Sequence, residues 1–252
     1  MIAALIPAAG RGERFGGDRA KQFLPLAGKP VFIQTLTVFQ DSDLIDQIVC
    51  VVPKEALSEA NQEIRQQGLS KVVSLLPGGA HRQDSVGTAI ALLEKTGDPD
   101  DIVLVHDGVR PLVSPELISR IVAGVRRFGA VAAALPVTDS LKEVSEEGTI
   151  RASLSREKIW AMQTPQGFRL SILAAAYRKG AEDRFLATDE AMLVERLGQT
   201  IHCIEGAPEN IKITSPSDLA LAEFFLRRRS VSNTLKNESS TGPASLGEGV
   251  SP

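Results

Sequence analysis

Residues 7–23 read PAAGRGERFGGDRAKQF, a run of small residues followed by cations. Ala8, Ala9, Gly10 and Gly12 let backbone amides come close to a ligand. Successive exposed N–H groups form a nest for an anion. Arg11, Arg14, Arg19 and Lys21 add dense positive charge to the same loop. The combination suits a triphosphate. Two better-known phosphate loops are excluded by the spelling. There is no G-x-x-x-x-G-K-[ST]. Gly10 and Gly12 are followed by Phe15, where the dinucleotide fingerprint needs a third small residue. Taken alone, the loop also fits a solvated glycine-rich turn with incidental charges.

A second candidate lies at IVLVHDGVRP, residues 102–111. An apolar strand runs into His106 and Asp107, then Gly108 and Arg110. A carboxylate at a strand's carboxyl end points into the ligand crevice of an α/β sheet. A triphosphate would repel it unless a cation intervened. Mg²⁺ takes oxygens from one or two carboxylates plus substrate phosphates, which makes Asp107 a candidate ligand. Arg110 could then grip a second phosphate through its planar fork. The alternative is structural, with Asp107 capping the turn and pairing with Arg110. His106 reads as a packed or hydrogen-bonded residue rather than a base.

These residues need a scaffold that presents loops at one edge. Apolar runs at 2–6, 47–52, 71–76, 102–105 and 130–135 read as buried strands. Amphipathic runs at 30–40, 55–67, 83–95, 115–128, 169–180 and 216–229 read as helices. Such alternation predicts an α/β fold, with a mostly parallel sheet covered on both faces. Pro115 and Pro216 suit first-turn positions, each with a serine before it as a cap. Residues 137–156 break the rhythm with polar, β-prone text and a Glu147-Gly148 turn signal, predicting a projecting hairpin. A lone hairpin is marginal in water, so it should pack on something, such as another subunit. Residues 230–252 have little to bury and predict a disordered tail after a domain spanning 1–229.

Composition narrows the function. The chain has 252 residues, 43% hydrophobic and 23% charged, with a formal net charge of −3. That balance gives no general pull on nucleic acid or an acidic membrane, so no nucleic-acid partner is expected. The apolar runs, such as those at 102–105 and 130–137, are too short to span a bilayer. The opening MIAALIPAAG has no basic leader and predicts a cytoplasmic protein. Cys50 and Cys203 sit in strand-like text and are expected as buried free thiols. No cysteine or histidine pair has zinc-site spacing.

With these motifs placed, the chain resembles the 2-C-methyl-D-erythritol 4-phosphate cytidylyltransferases of the non-mevalonate isoprenoid pathway. The resemblance runs from the first strand to about residue 229. It rests on PAAGRGERF with AKQF, GGAHRQDSV (78–86), VHDGVRP (105–111), ALPVTDSLK (134–142), QTPQGF (163–168), ATDEA (187–191) and ENIKIT (209–214), in that order. It implies a Rossmann-like nucleotidyltransferase fold, a homodimer joined through the hairpin as a β-arm, and Mg²⁺. The partners it implies are CTP and a polyol phosphate. Arg14, Lys21 and Lys212 would be the catalytic cations. Pro7, Ala8, Ala9, Gly10, Gly12, Gly79, Ser85 and Gly108 would surround the nucleotide. Asp107 would hold the metal. Arg110, Thr164 and Thr188 would line the sugar-phosphate pocket, with Ser140 and Arg156 reaching the partner's substrate. Ala80 stands where some members carry an acid, and Ser140 where a threonine is usual. A cytidylyltransferase for another polyol phosphate, such as ribitol 5-phosphate, is the nearest alternative. A catalytically silent nucleotide-binding module is the alternative of another class.

The implied chemistry is in-line attack of a phosphate oxygen on the α-phosphorus of the triphosphate. A phosphate dianion is already an adequate nucleophile, so no serine or cysteine nucleophile is needed. The obstacle is that two polyanions must meet, and positioned cations remove it. Arg14→Ala and Lys21→Ala are each expected to lower kcat by about two to three orders of magnitude with the fold intact. Pyrophosphate release and circular dichroism check this; parental turnover in either variant removes that residue from the mechanism.

Overall fold

The computed structural model describes residues 1–10 and 20–240, with side chains through residue 229. The chain opens on β1 (Ile2–Pro7). A short ribbon of β2 (Pro25–Leu26) and β3 (Lys29–Pro30) leads into α1 (Val31–Gln40). The alternation continues through β4 (Gln47–Val52), α2 (Leu57–Gln66), β5 (Val72–Pro77), α3 (Arg82–Thr96) and β6 (Ile102–Val105). Then come α4 (Pro115–Phe128), β7 (Ala130–Pro136), the hairpin β8 (Leu141–Val144) and β9 (Ile150–Leu154), and β10 (Trp160–Arg169). The last elements are α5 (Leu170–Glu182), α6 (Glu190–Arg196), β11 (His202–Glu205) and α7 (Pro216–Ser240).

Seven strands form one sheet in the order β11-β7-β10-β6-β1-β4-β5. Every pairing in it is parallel except those of β10, which runs antiparallel to both β6 and β7. Period-2 alternation splits each central strand between two cores. In β1, Ala4 and Ile6 face α1, α2 and α4, while Ala3 and Leu5 face α3, α5 and α6. The second core contains Phe168, which is fully buried, and such a side chain stabilises by roughly 1.5–3 kcal/mol. A smaller cluster of Leu26, Val31, Val109, Leu112, Ile213 and Ala222 seats α7 beside the mouth of the sheet. As the serine-proline spelling implies, Ser114 Oγ caps α4 by accepting from Leu117 N at 3.2 Å.

The five expected strands and six expected helices are present, with small shifts at their ends. Other features differ from expectation. β10 was hidden because its inner half buries Gln163, Thr164 and Gln166 instead of aliphatic residues. These polar groups are paired, so their burial is tolerated. Gln166, for example, donates to Asp189 Oδ2 at 2.9 Å and accepts from Ala191 N at 2.9 Å. α6 is too short to show a helical period. Cys50 is buried as expected, and burial pushes its thiol up to about 12. Cys203 is exposed, because β11 is the sheet's edge strand. α7 runs to Ser240, past the expected start of a disordered tail at residue 230, since no glycine or proline interrupts it before Gly242-Pro243. Residues 241–252 lie outside the described residues.

The hairpin projects as expected. β8 and β9 form their own two-stranded sheet, turned at Gly148, and most of its residues are exposed. Val144, Ile150 and Leu154 on it are 51%, 63% and 47% exposed. Its base is zipped into the main sheet, where Val137 N donates to Ile159 O at 3.0 Å and Trp160 pairs with Pro136.

Candidate active site

Loops from the carboxyl ends of β1, β5 and β6 converge on a cleft of about 530 Å³. Strand pairing sets their heights. Ala8 N donates to Val51 O at 2.7 Å, and Gly108 N donates to Pro7 O at 3.0 Å. The Gln22 side chain, itself buried, donates to Gly10 O at 3.2 Å and ties the far side of the loop to its start. Of the sequence-predicted residues, Pro7, Ala8, Ala9, Gly10, Lys21, Gly79, Ser85, Asp107 and Lys212 line the cleft. Gly108 lies behind Ala8; a Cβ there would come within 2.7 Å of the Ala8 Cβ, so the two loops touch only because it has none. Ser85 Oγ accepts from Gly79 N at 3.0 Å and donates to His81 O at 3.1 Å, bracing the loop before α3. Arg14 and Gly12 lie outside the described residues.

Asp107 is the floor of the cleft. It is 6% exposed, and three cations reach it from three parts of the chain. Lys212 Nζ is 2.8 Å from Oδ2, Arg110 Nε is 3.5 Å from Oδ2, and Arg82 Nη2 is 3.4 Å from Oδ1. Burial alone would raise the Asp107 pKa. Arg82, Lys212 and Arg110 outweigh it and hold the carboxyl well below the usual range, so it stays ionised. Asp107 does pair with Arg110, as the structural reading has it, and it also faces the cleft.

His106, directly before it, is fully buried and packs on Phe39 with ring centroids 5.1 Å apart. Burial lowers its pKa to about 4, so it is neutral at pH 7. Its Nε2 lies 3.0 Å from Arg110 O, an acceptor, so Nε2 carries the proton. Nδ1 must then accept from Thr164 Oγ1 at 3.0 Å, while Thr164 Oγ1 accepts from Asp107 N at 3.1 Å. His106 is the packed residue the sequence implies, and Thr164 supports Asp107 from beneath.

The remaining candidates are outside the cleft lining. Arg110 is largely buried and donates to Asn210 O at 2.8 Å. Thr188 is exposed on the loop before α6. Ser140 and Arg156 are exposed at the base of the arm, where the Arg156 guanidinium donates to Thr138 O. Within one chain, therefore, Asp107, Arg110, Thr164 and Lys212 come together, and Ser140 and Arg156 do not join them.

Sequence reasoning missed the support of this floor. Arg82, the first residue of α3, lines the cleft and gives Nη1 and Nη2 to Glu190 at 2.6 and 2.9 Å. Glu190 is fully buried and also accepts from Tyr177 Oη at 3.0 Å. Burial disfavours the Arg82 charge, but Glu190 and Asp107 outweigh it and raise its pKa. One guanidinium therefore spans two carboxylates. The signal was a helix-opening arginine three residues after the Gly78-Gly79 pair, and an acid inside ATDEA, both within quoted motifs.

Comparison with known proteins places this geometry. The family profile described as 2-C-methyl-D-erythritol 4-phosphate cytidylyltransferase matches residues 2–228. The chain belongs to that family. A relative of that name from Geobacter metallireducens is 42% identical over 229 residues, covering 90% of this chain and 98% of its own. One from Syntrophus aciditrophicus is 41% identical, covering 90% of this chain and 96% of its own. The crystal structure of the Thermus thermophilus enzyme of that name superposes with a TM-score of 0.73 at 36% identity, over 89% of this chain and 98% of that one. The Francisella tularensis structure gives 0.75 at 30% identity, over 88% and 98%. The Rossmann-like nucleotidyltransferase fold follows.

The Arg82–Glu190 pair yields a stability prediction. Arg82→Met leaves a fully buried carboxylate without its cation and is expected to cost about 3 kcal/mol. Adding Glu190→Gln should return part of that loss. Urea unfolding of the two variants is the measurement; an unchanged midpoint for Arg82→Met would show that the pair carries no net stability.

Proposed function

We propose that this chain transfers the cytidylyl group of CTP to 2-C-methyl-D-erythritol 4-phosphate. The products are 4-diphosphocytidyl-2-C-methyl-D-erythritol and pyrophosphate, in isoprenoid precursor synthesis. Family membership over residues 2–228 supports the activity. The observation that carries the chemistry is a cleft lined by Lys21, Arg82 and Lys212, with one ionised carboxylate, Asp107, paired to Arg82 and Lys212 at its floor. The acceptor's phosphate oxygen forms a bond to the α-phosphorus as the bond from that phosphorus to the bridging oxygen of pyrophosphate breaks. Lys21 and Lys212, with Arg14 from the loop, neutralise charge on the triphosphate and leaving group. Lys212 is 38% exposed and can exchange Asp107 for a phosphate, while Arg82 stays tied to Glu190 and keeps Asp107 paired.

A magnesium ion fits this donor set. Among the described residues no cluster of three or more His, Cys, Asp or Glu stands ready for a metal, and Asp107 is the one acid lining the cleft. A single carboxylate completed by substrate phosphates and water is the usual arrangement for Mg²⁺. When bound there, it would supply further charge neutralisation at the phosphates.

The arm supports a homodimer. A two-stranded hairpin with three exposed aliphatic side chains gains little stability alone, and a second copy is its natural cover. Ser140 and Arg156 would then complete the partner's acceptor site. Two features support a cytoplasmic location. Among the described residues no helix is long and apolar enough to cross a membrane, and both cysteines are free. Recovery with the membrane fraction would count against it.

Two measurements test these readings. Pyrophosphate release should be fastest with CTP among the four triphosphates and with methylerythritol phosphate over ribitol 5-phosphate, and it should stop when chelator removes Mg²⁺. A better kcat/KM with ribitol 5-phosphate would move the acceptor assignment, and turnover that survives chelation would remove the metal. Arg156→Ala and Lys21→Ala should each be inactive as homodimers, while mixed dimers should regain activity through one intact site. Purified mixed dimers that stay inactive would show that the arm does not serve its partner.

A further inference from the structure

Lys212 sits in the segment between β11 and α7, which is neither helix nor strand. A lysine stem on an unanchored loop would spread over many rotamers, and ordering it would cost about 2 kcal/mol. Yet Lys212 Nζ meets Asp107 Oδ2 at 2.8 Å. The cause lies in the neighbouring residues. Two residues earlier, Asn210 is fully buried. Its Nδ2 donates to Thr164 O at 2.7 Å and to Gln163 Oε1 at 3.3 Å. Gln163 grips the same loop again, donating to Ala207 O at 2.9 Å and accepting from Ala207 N at 3.2 Å. Arg110 Nη1 donates to Asn210 O at 2.8 Å. On the other side of Lys212, Ile213 is buried and its N donates to Val109 O at 2.9 Å. Gly206 leaves room for the clamp, since a Cβ there would fall 2.3 Å from Gln163 Oε1.

The geometry points to Asn210 as a positioning residue for Lys212, with Gln163 as its anchor on β10. The clamp refers both ends of the Lys212–Asp107 contact to one residue. Thr164 accepts Asn210 through its carbonyl oxygen and supports Asp107 N through its hydroxyl. Asn210 therefore sets where the ammonium stands relative to the floor of the cleft, and hence relative to the phosphates it neutralises.

The inference rests on Lys212 serving the transfer proposed above, and a double-mutant cycle on the full chain tests it. Asn210→Ala is expected to lower kcat for pyrophosphate release by about tenfold to a hundredfold, as small misplacements of a catalytic group do, with KM for CTP little changed. In the Lys212→Ala background the same substitution should change kcat by less than about twofold, because the group it positions is gone. Gln163→Met, which breaks the clamp from β10, should show the same pattern. Equal fold-losses in both backgrounds would overturn the inference, as would a parental kcat in Asn210→Ala. So would unfolding of both clamp variants under conditions where Lys212→Ala is folded, since the clamp would then serve stability alone. Parental turnover in Lys212→Ala would instead remove Lys212 from the proposed chemistry, and the inference would fall with it.

Discussion

A buried carboxylate ringed by cations is the constraint to which the rest of this molecule answers. Asp107 is ionised where water is scarce, and an unpaired charge there would be costly. Its partners come from α3, from the loop after β6 and from the segment before α7. Parallel strands bring those segments to one edge of the sheet. Glu190 adds a second carboxylate behind Arg82, so three cations face two acids and one positive charge is in excess before Lys21 is considered. The cleft is thus biased toward an anion before one arrives, which is the preorganisation that charge-neutralising catalysis needs.

The second theme is polar burial in β10. An antiparallel strand between two parallel neighbours brings Gln163, Thr164 and Gln166 into the interior, where each finds directional partners. Aliphatic side chains would fill the space equally well but would not fix distances. Hydrogen bonds here connect β10 to the loop before α6, to the Lys212 segment and to the Asp107 backbone. One strand therefore sets the register of all three around the cleft.

The parallel framework was legible because its strands are uniformly apolar and its helices amphipathic, with Ser114-Pro115 also marking the start of α4. The cleft loops were legible because Ala8–Gly10 and Asp107 follow such strands directly. Lys212 entered only through resemblance, since one lysine in irregular text has no local signature. β10 and the Arg82–Glu190 pair were not legible, because burial of glutamine, arginine and glutamate depends on partners far away in the chain. The exposure of Cys203 was missed for a related reason. Sequence text marks β11 as a strand but does not say that it lies at the edge.

The zipped base of the arm has a consequence for how this fold tolerates change. Pairing of Trp160 with Pro136, and of Gln166 with Ala132, locks the returning strand to β7 on the sheet side of the hairpin. The turn around Ser145–Thr149 closes on its own hydrogen bonds at the far end. Length added or lost at that tip is absorbed within the hairpin and never shifts Thr164 along the sheet. The tip of the arm and the cleft are thus insulated from each other on one continuous stretch of backbone, and the tip is free to vary in length.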